Sequence, residues 1–371
     1  MAVSSIRLIL ANTAGVLLDL LPIALLLLLF WGAKIKPVND RASFASVAEE
    51  LPWRGFFAIV IIVHHVAQHT SSGIVFPYFT YVGFLAVAVF FLYSGFGLMK
   101  RYLSDPQYAQ WFLAKRLPKL LLPYLAVTVL FWLLYLWLEN PWTLTEVAKG
   151  ALTGSPIVWH SWYINVIVGF YIVFWLLMKV ARGQAWVMLG GALIWYGASV
   201  VIFRQLGFGE WWYNASHILV LGMLIAVYEK PIVRVFAKFA WPVVITSVGL
   251  LFAGLNYIEA NQLLSDDSAE LEAVLIQMVA AVVFSIGLCA LCTRISIGNA
   301  MLRFLGEYAL EIYLLQGLFQ FAFRSELAWI ENDFSYLVTS VVATVLSAAL
   351  LNLCLKPIFG VYLRSLRKIT R

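Results

Sequence analysis

The sequence predicts an all-α fold, a polytopic transmembrane helical bundle of about eleven spans. Two observations carry that expectation. Of 371 residues, 63% are hydrophobic and 12% charged, where an ordinary soluble domain has roughly 25% charged residues. Apolar runs of about 20 residues recur along the chain, each long enough to cross about 30 Å of hydrocarbon as a helix that satisfies its own backbone hydrogen bonds.

The first run, Ile6 to Trp31, is too long for a secretory signal and lacks a small-residue cleavage site, so it is expected to remain as a membrane helix. Further spans are expected near 53–70, 78–99, 118–138, 157–179, 185–204, 212–229, 239–258, 273–293, 303–323 and 336–360. Lys and Arg near span ends are retained on the cytoplasmic side. They gather in segments 33–54, 100–119, 179–182, 230–238, 294–303 and 356–371, which predicts an outside N-terminus and a cytoplasmic C-terminus in the inner (plasma) membrane. The intervening loops include the acidic stretches "EANQLLSDDSAELEA" and "RSELAWIENDF". The formal charge of +6 is accounted for by this inner collar, whose neighbours are anionic lipid heads. No nucleic-acid partner is implied. Cys289, Cys292 and Cys354 all fall inside apolar runs and read as packed thiols, not as a disulfide frame or metal site.

Ionisable residues within spans are functional hypotheses by default. The stretch "PWRGFFAIVIIVHHVAQHT" carries Arg54, His64, His65 and His69. Arg54 begins the second span at its cytoplasmic end. His65 follows eleven residues on, about 16 Å along a helix, which places it near mid-membrane. His69 lies one turn further on the same face, and His64 points roughly 100° away. An imidazole takes a proton from a hydroxyl without first being charged, which suits general-base work; interhelical hydrogen bonding is the plainer alternative. Ser94 lies in "SGFG", where packing is the stronger reading. Lys100, Arg101, Lys115, Arg116 and Lys119 follow within twenty residues and would clamp a ligand's phosphates, or merely obey the positive-inside bias. "WHSWYI" brings His160 and Trp162 to a span entry, as acceptor contacts or interface anchors; Trp142, Trp159, Trp211, Trp212 and Tyr213 carry the same ambiguity. Glu307 and Glu311 are four residues apart on one helical face, and Glu311 either pairs with a cation or lines a cavity. Asp19 is an isolated polar group inside the first run.

Together these motifs resemble the membrane acyltransferase-3 family. Arg54 and His65 in "RGFFAIVIIVHH" resemble its R-x10-H signature, and "FFLYSGFGLM" its F-F-x-x-S-G-F segment. "FLAKRLPKLLLPY", "HSWYI" and "LGEYALEIYLLQ" are similar to its basic, aromatic and late motifs, in family order. The resemblance covers about residues 50–360 and implies a ten-helix core over 51–371, with residues 1–50 an additional helix and linker. It implies transfer of an acyl group, acetyl or succinyl, from cytosolic acyl-CoA to a hydroxyl of a cell-envelope polysaccharide or lipid-linked sugar. Acyl-CoA is then a co-substrate, with no bound cofactor or metal, and Arg54 and His65 are the functional pair. Arg101, Lys115, Arg116 and Lys119 become donor contacts, with Ser94, His160, Trp162 and Glu311 facing the acceptor or cavity. Lys119 stands where the family has a frequent arginine, Gln316 replaces a frequent histidine, and His64 leaves open which imidazole is the base. His65 acts as general base or as a transient acyl carrier. The competing class is a transporter or flippase of lipid-linked sugar or polysaccharide, since intramembrane Arg, His and Glu also mark substrate paths.

Overall fold

A computed structural model describes residues 13–37, 46–261, 263 and 271–369. The expected start of the first span at Ile6, part of the 33–54 linker, most of the acidic stretch after Glu259 and the last two residues of the tail lie outside the described residues. The fold is an all-α bundle. Among the described residues, nine helices are long and apolar enough to cross a membrane, and two shorter apolar helices accompany them.

In chain order the helices are α1 (Thr13–Phe30), α2 (Val47–Ala67), α3 (Gly83–Ser104), α4 (Phe112–Trp137), α5 (Leu144–Thr153), α6 (Trp162–Ala181) and α7 (Ala185–Gln205). There follow α8 (Ile218–Val227), α9 (Glu229–Ala260), α10 (Leu271–Cys292), α11 (Ala300–Glu307), α12 (Ala309–Phe323) and α13 (Asp333–Ile369). A two-stranded antiparallel ribbon joins β1 (Lys34–Ile35) to β2 (Ile295–Ser296), with Lys34 opposite Ser296.

Two expected spans are broken helices. In place of a continuous 212–229, a 3-10 turn (Glu210–Trp212) leads into α8, only ten residues long. At 1.5 Å per residue α8 covers about 15 Å, half the hydrocarbon thickness. Irregular backbone survives there because α10 supplies partners: Asn214 Nδ2 donates to Gln277 Oε1 at 2.9 Å, and His217 Nε2 lies 3.1 Å from the Met278 carbonyl. Likewise 303–323 divides at Tyr308 (φ −106°, ψ 13°) into α11 and α12. Glu307 and Glu311 therefore sit on two helices and not on one continuous face.

Close crossings position the core. A Cβ on Gly55 would fall 2.1 Å from the Leu302 carbonyl oxygen, and one on Gly306 2.0 Å from that of Leu51, so α2 and α11 touch backbone to backbone. Gly95 against Leu219 (2.0 Å) and Gly222 against Leu92 (2.2 Å) do the same for α3 and α8. Small residues permit such contacts, and dispersion and Cα–H contacts reward them where lipid offers no hydrophobic drive.

The described parts of the six basic segments converge on one end of the bundle. The ribbon ties 33–54 to 294–303, and Lys36 pairs with Glu49 at 3.0 Å. Lys100 pairs with Glu229 at 2.7 Å. The Gly183 amide donates to the Tyr102 hydroxyl, and the Tyr362 hydroxyl donates to the Ala114 carbonyl. Cys289 and Cys292 are buried free thiols, and Cys354 is an exposed one.

Candidate active site

A cavity of about 750 Å³ opens at the basic end between α2, α3, α4, α6, α12 and α13. Exposed Lys119 and Lys356 stand among its lining residues, with Arg54 and Arg116 less exposed. Opposing them are Glu50, Glu307 and Glu311. α2 begins at Val47, not near residue 53 as expected, so Arg54 lies two turns inside the helix, where Glu50 Oε1 is its i−4 neighbour at 3.2 Å. Arg116 Nη2 donates to the Tyr108 hydroxyl at 3.0 Å. Glu311 is buried and accepts from Asn352 Nδ2 at 2.8 Å. Neither Lys119 nor Lys356 has a carboxylate partner among the described residues. The cavity thus offers unneutralised cations near solvent and apolar or hydroxyl-bearing walls within: Tyr93, Ser94, Tyr163, Tyr171 and Tyr313. The last α2 residue lining it is Ile61, about 10 Å along the axis from Arg54 and one turn before His65.

Beyond that wall lies a histidine cluster. The His65 and His160 rings stack with centroids 3.5 Å apart and planes 19° from parallel. His64 adjoins at 4.6 Å. A directed hydrogen-bond chain sets their tautomers. His64 Nδ1 is 2.9 Å from the Phe79 carbonyl, which only accepts, so His64 carries its proton on Nδ1. Its Nε2 then accepts from Gln68 Nε2 at 3.3 Å. The same amide turns its oxygen to His65 Nδ1 at 3.1 Å, which must be protonated. The lone pair on His65 Nε2 is the uncommitted acceptor of this chain. His64, with both ring nitrogens engaged and its ring pressed on Gly83, is a buttress. A Cβ there would meet His64 Nε2 at 2.3 Å.

His160 has a left-handed backbone (φ 63°), unusual for a residue with a Cβ. The Tyr313 hydroxyl donates to its carbonyl. His160 Nε2 is buried and has no hydrogen-bond partner among the described residues. Its ring is packed face to face on His65.

The remaining expected residues fall as follows. Arg116, Lys119, Arg54, Ser94 and Glu311 share the cavity. Arg101 turns to Asp105 at 2.9 Å, and Lys115 is exposed and outside the cavity lining. Trp162 is buried between Phe91 and Trp212. α2 ends at Ala67, so His69 is not a further turn on its face; it lies in the following loop, 6.4 Å from the Trp159 ring. That loop is held by Asp333, which accepts from the Ser71 and Ser72 amides and the Ser72 hydroxyl and pairs with Arg324. Gln316, in the late motif, is fully buried.

Glu50, Gln68, Tyr163 and Tyr313 were not singled out from sequence in these roles. The signal for Gln68 is its spacing, i+4 from His64 and i+3 from His65, which on a helix makes side-chain neighbours. Glu50 and Arg54 share that i,i+4 spacing.

A second cavity of about 510 Å³ lies at the opposite end, bounded by Tyr135, Asn140, Phe321, Arg324 and Trp329 among others. Trp159 joins it to the histidines: its Nε1 donates to the Tyr135 hydroxyl at 3.1 Å, and its ring lies 4.8 Å from Phe321 and 6.3 Å from His160.

Compared with known families, the chain matches the acyltransferase domain of the acyltransferase-3 model over residues 53–353. Comparison with curated proteins gives no match, and comparison with solved structures gives none.

Proposed function

The chain belongs to the acyltransferase-3 family, and on that premise we propose that this membrane acyltransferase moves an acyl group from acyl-CoA to a hydroxyl of a cell-envelope glycan or lipid-linked sugar. Acetyl is the favoured group and succinyl the next. The basic end then faces the cytoplasm, with the C-terminus there and the N-terminus outside, in the inner (plasma) membrane. Lys119 and Lys356 meet the donor's phosphates at the mouth, and Arg116 adds a planar guanidinium able to hold one bidentately. Arg54 stands deeper, beside Glu50. The acyl-bearing arm runs along the tyrosine wall toward Ile61, so that α2 measures the distance between phosphate binding and chemistry.

In this reading His65 Nε2 takes the proton of the acceptor hydroxyl as its oxygen attacks the thioester carbonyl. A C–O bond forms, the C–S bond breaks, and the imidazolium returns the proton to the departing thiolate. His64 and Gln68 hold the tautomer, and the stacked His160 fixes the plane of the ring. The acceptor approaches from the opposite end by way of the cavity at Trp329 and Trp159.

The observation that supports this reading most is the hydrogen-bond chain that leaves His65 Nε2 as a free base one turn beyond the cavity wall. The test uses purified protein in nanodiscs with labelled acetyl-CoA or succinyl-CoA and an envelope glycan extract. Acceptor-dependent label transfer and CoA release by wild type, absent in His65→Ala, are expected. Transfer that survives His65→Ala contradicts the role of His65. Absence of transfer by folded wild type with both donors contradicts acyl-CoA-dependent transfer and favours flux of a lipid-linked sugar.

A further inference from the structure

Asp19, on a helix that precedes the family match, is wired to the histidine cluster. Its Oδ1 accepts from the amides of Ile74, Val75 and Phe76 at 2.9, 2.7 and 2.9 Å, and its Oδ2 lies 2.8 Å from the Ile74 nitrogen. These three residues lead into the 3-10 turn Phe76–Tyr81. One turn along it, the Phe79 carbonyl meets His64 Nδ1 at 2.9 Å, and from His64 the chain runs through Gln68 to His65 Nδ1.

The approach of α1 to this loop is close at several points. A Cβ on Gly73 would fall 2.6 Å from Asp19 Oδ1, and Gly73 has the left-handed φ of 93° that glycine favours. A Cβ on Gly15, one turn before Asp19, would lie 3.1 Å from the Gly73 nitrogen. Phe76, the last amide donor, is fully buried, so the turn is anchored at its start by Asp19 and by its own side chain. A carboxylate accepting several backbone amides is a strong anchor because each bond is charge-assisted. The turn in its place presents one carbonyl to one imidazole.

We infer that Asp19 is a positioning residue for transfer, holding the Phe76–Tyr81 turn so that its Phe79 carbonyl fixes the His64 tautomer and, through Gln68, the orientation of His65. The inference rests on the reading of His65 as the base. It assigns α1 a part in the chemistry although none of its described residues lines the donor cavity.

A double-mutant cycle tests it. Asp19→Ala, Gln68→Ala and the double variant are compared with wild type for kcat, donor KM and thermal midpoint, together with carbethoxylation of His64 read by mass spectrometry against His217. Asp19→Ala is expected to lower kcat by up to about a hundredfold, the scale of a small misplacement at a reacting centre, with donor KM unchanged. The double variant is expected to be no slower than Gln68→Ala alone, because the chain through which Asp19 acts is already cut. His64 is expected to label faster in Asp19→Ala. Additive losses in kcat, or unchanged His64 labelling, overturn the inference. Should Asp19→Ala fail to fold, Asp19→Asn keeps the shape and one acceptor oxygen and is read the same way with a smaller loss. If wild type transfers no acyl group, the base reading fails, and the labelling comparison still decides whether Asp19 holds His64.

Discussion

The two ends of α2 are built to different rules. Around Arg54 the charges are numerous, partly exposed and incompletely neutralised, in a cavity of about 750 Å³. Around His65 the rings are packed, stacked at 3.5 Å, and all but one of the nitrogens in the His64–Gln68–His65 chain are committed. A site that binds a polyanion gains from free cations at its mouth. One that moves a proton gains from a single, oriented lone pair in a dry setting. On the proposed reading, one helix separates donor recognition from chemistry by its length.

The comparison breaks most sharply at its chemical end. His65→Ala is expected to reduce transfer by about 10²–10⁴, the usual worth of a positioned general base, while donor binding persists; equilibrium binding of labelled donor beside the transfer assay checks it. At the other end, Arg116→Ala is expected to weaken donor binding by roughly tenfold to a hundredfold, corresponding to about 1.5–3 kcal/mol for hydrogen bonds to a charged group. Its kcat is expected to stay near wild type, and Arg116→Lys to recover only part of the loss because a point charge replaces a fork. Kinetics over a donor titration read this split.

Two glycines sharpen the contrast with smaller effects. Gly83→Ala drives a methyl against the His64 ring and is expected to lower kcat, with donor KM unchanged. Gly55→Ala, which meets the Leu302 carbonyl at the basic end, is expected to lower stability by about 1–3 kcal/mol, the cost of overpacking. Thermal unfolding in detergent, run beside the transfer assay, separates the two outcomes.

Much of this was legible in the sequence. The nine long helices among the described residues each contain an apolar run long enough to cross a membrane, and the gathering of basic segments at one end follows from their alternation between those runs. The breaks at Tyr308 and before α8 were not legible. Nothing in "EYALEIY" is a helix breaker, and a buried break is stabilised by neighbours that only the tertiary fold supplies, as Gln277 supplies Asn214. The Arg54 and His65 pair was visible as two ionisable groups in an apolar run. The partnership of His65 with His160 was not, because it joins residues ninety-five positions apart through a left-handed turn. Asp19 appeared as an isolated polar residue because its partners are backbone amides, which leave no trace in residue identity.

The most direct test of the separation is a paired measurement on wild type, Arg116→Ala and His65→Ala in nanodiscs: the donor dissociation constant, and the single-turnover transfer rate at saturating donor. The account predicts a crossed result, with Arg116→Ala weak in binding and near normal in rate, and His65→Ala normal in binding and slower in transfer by about 10²–10⁴. Loss of donor binding in His65→Ala, or of saturated rate in Arg116→Ala equal to that in His65→Ala, would contradict it.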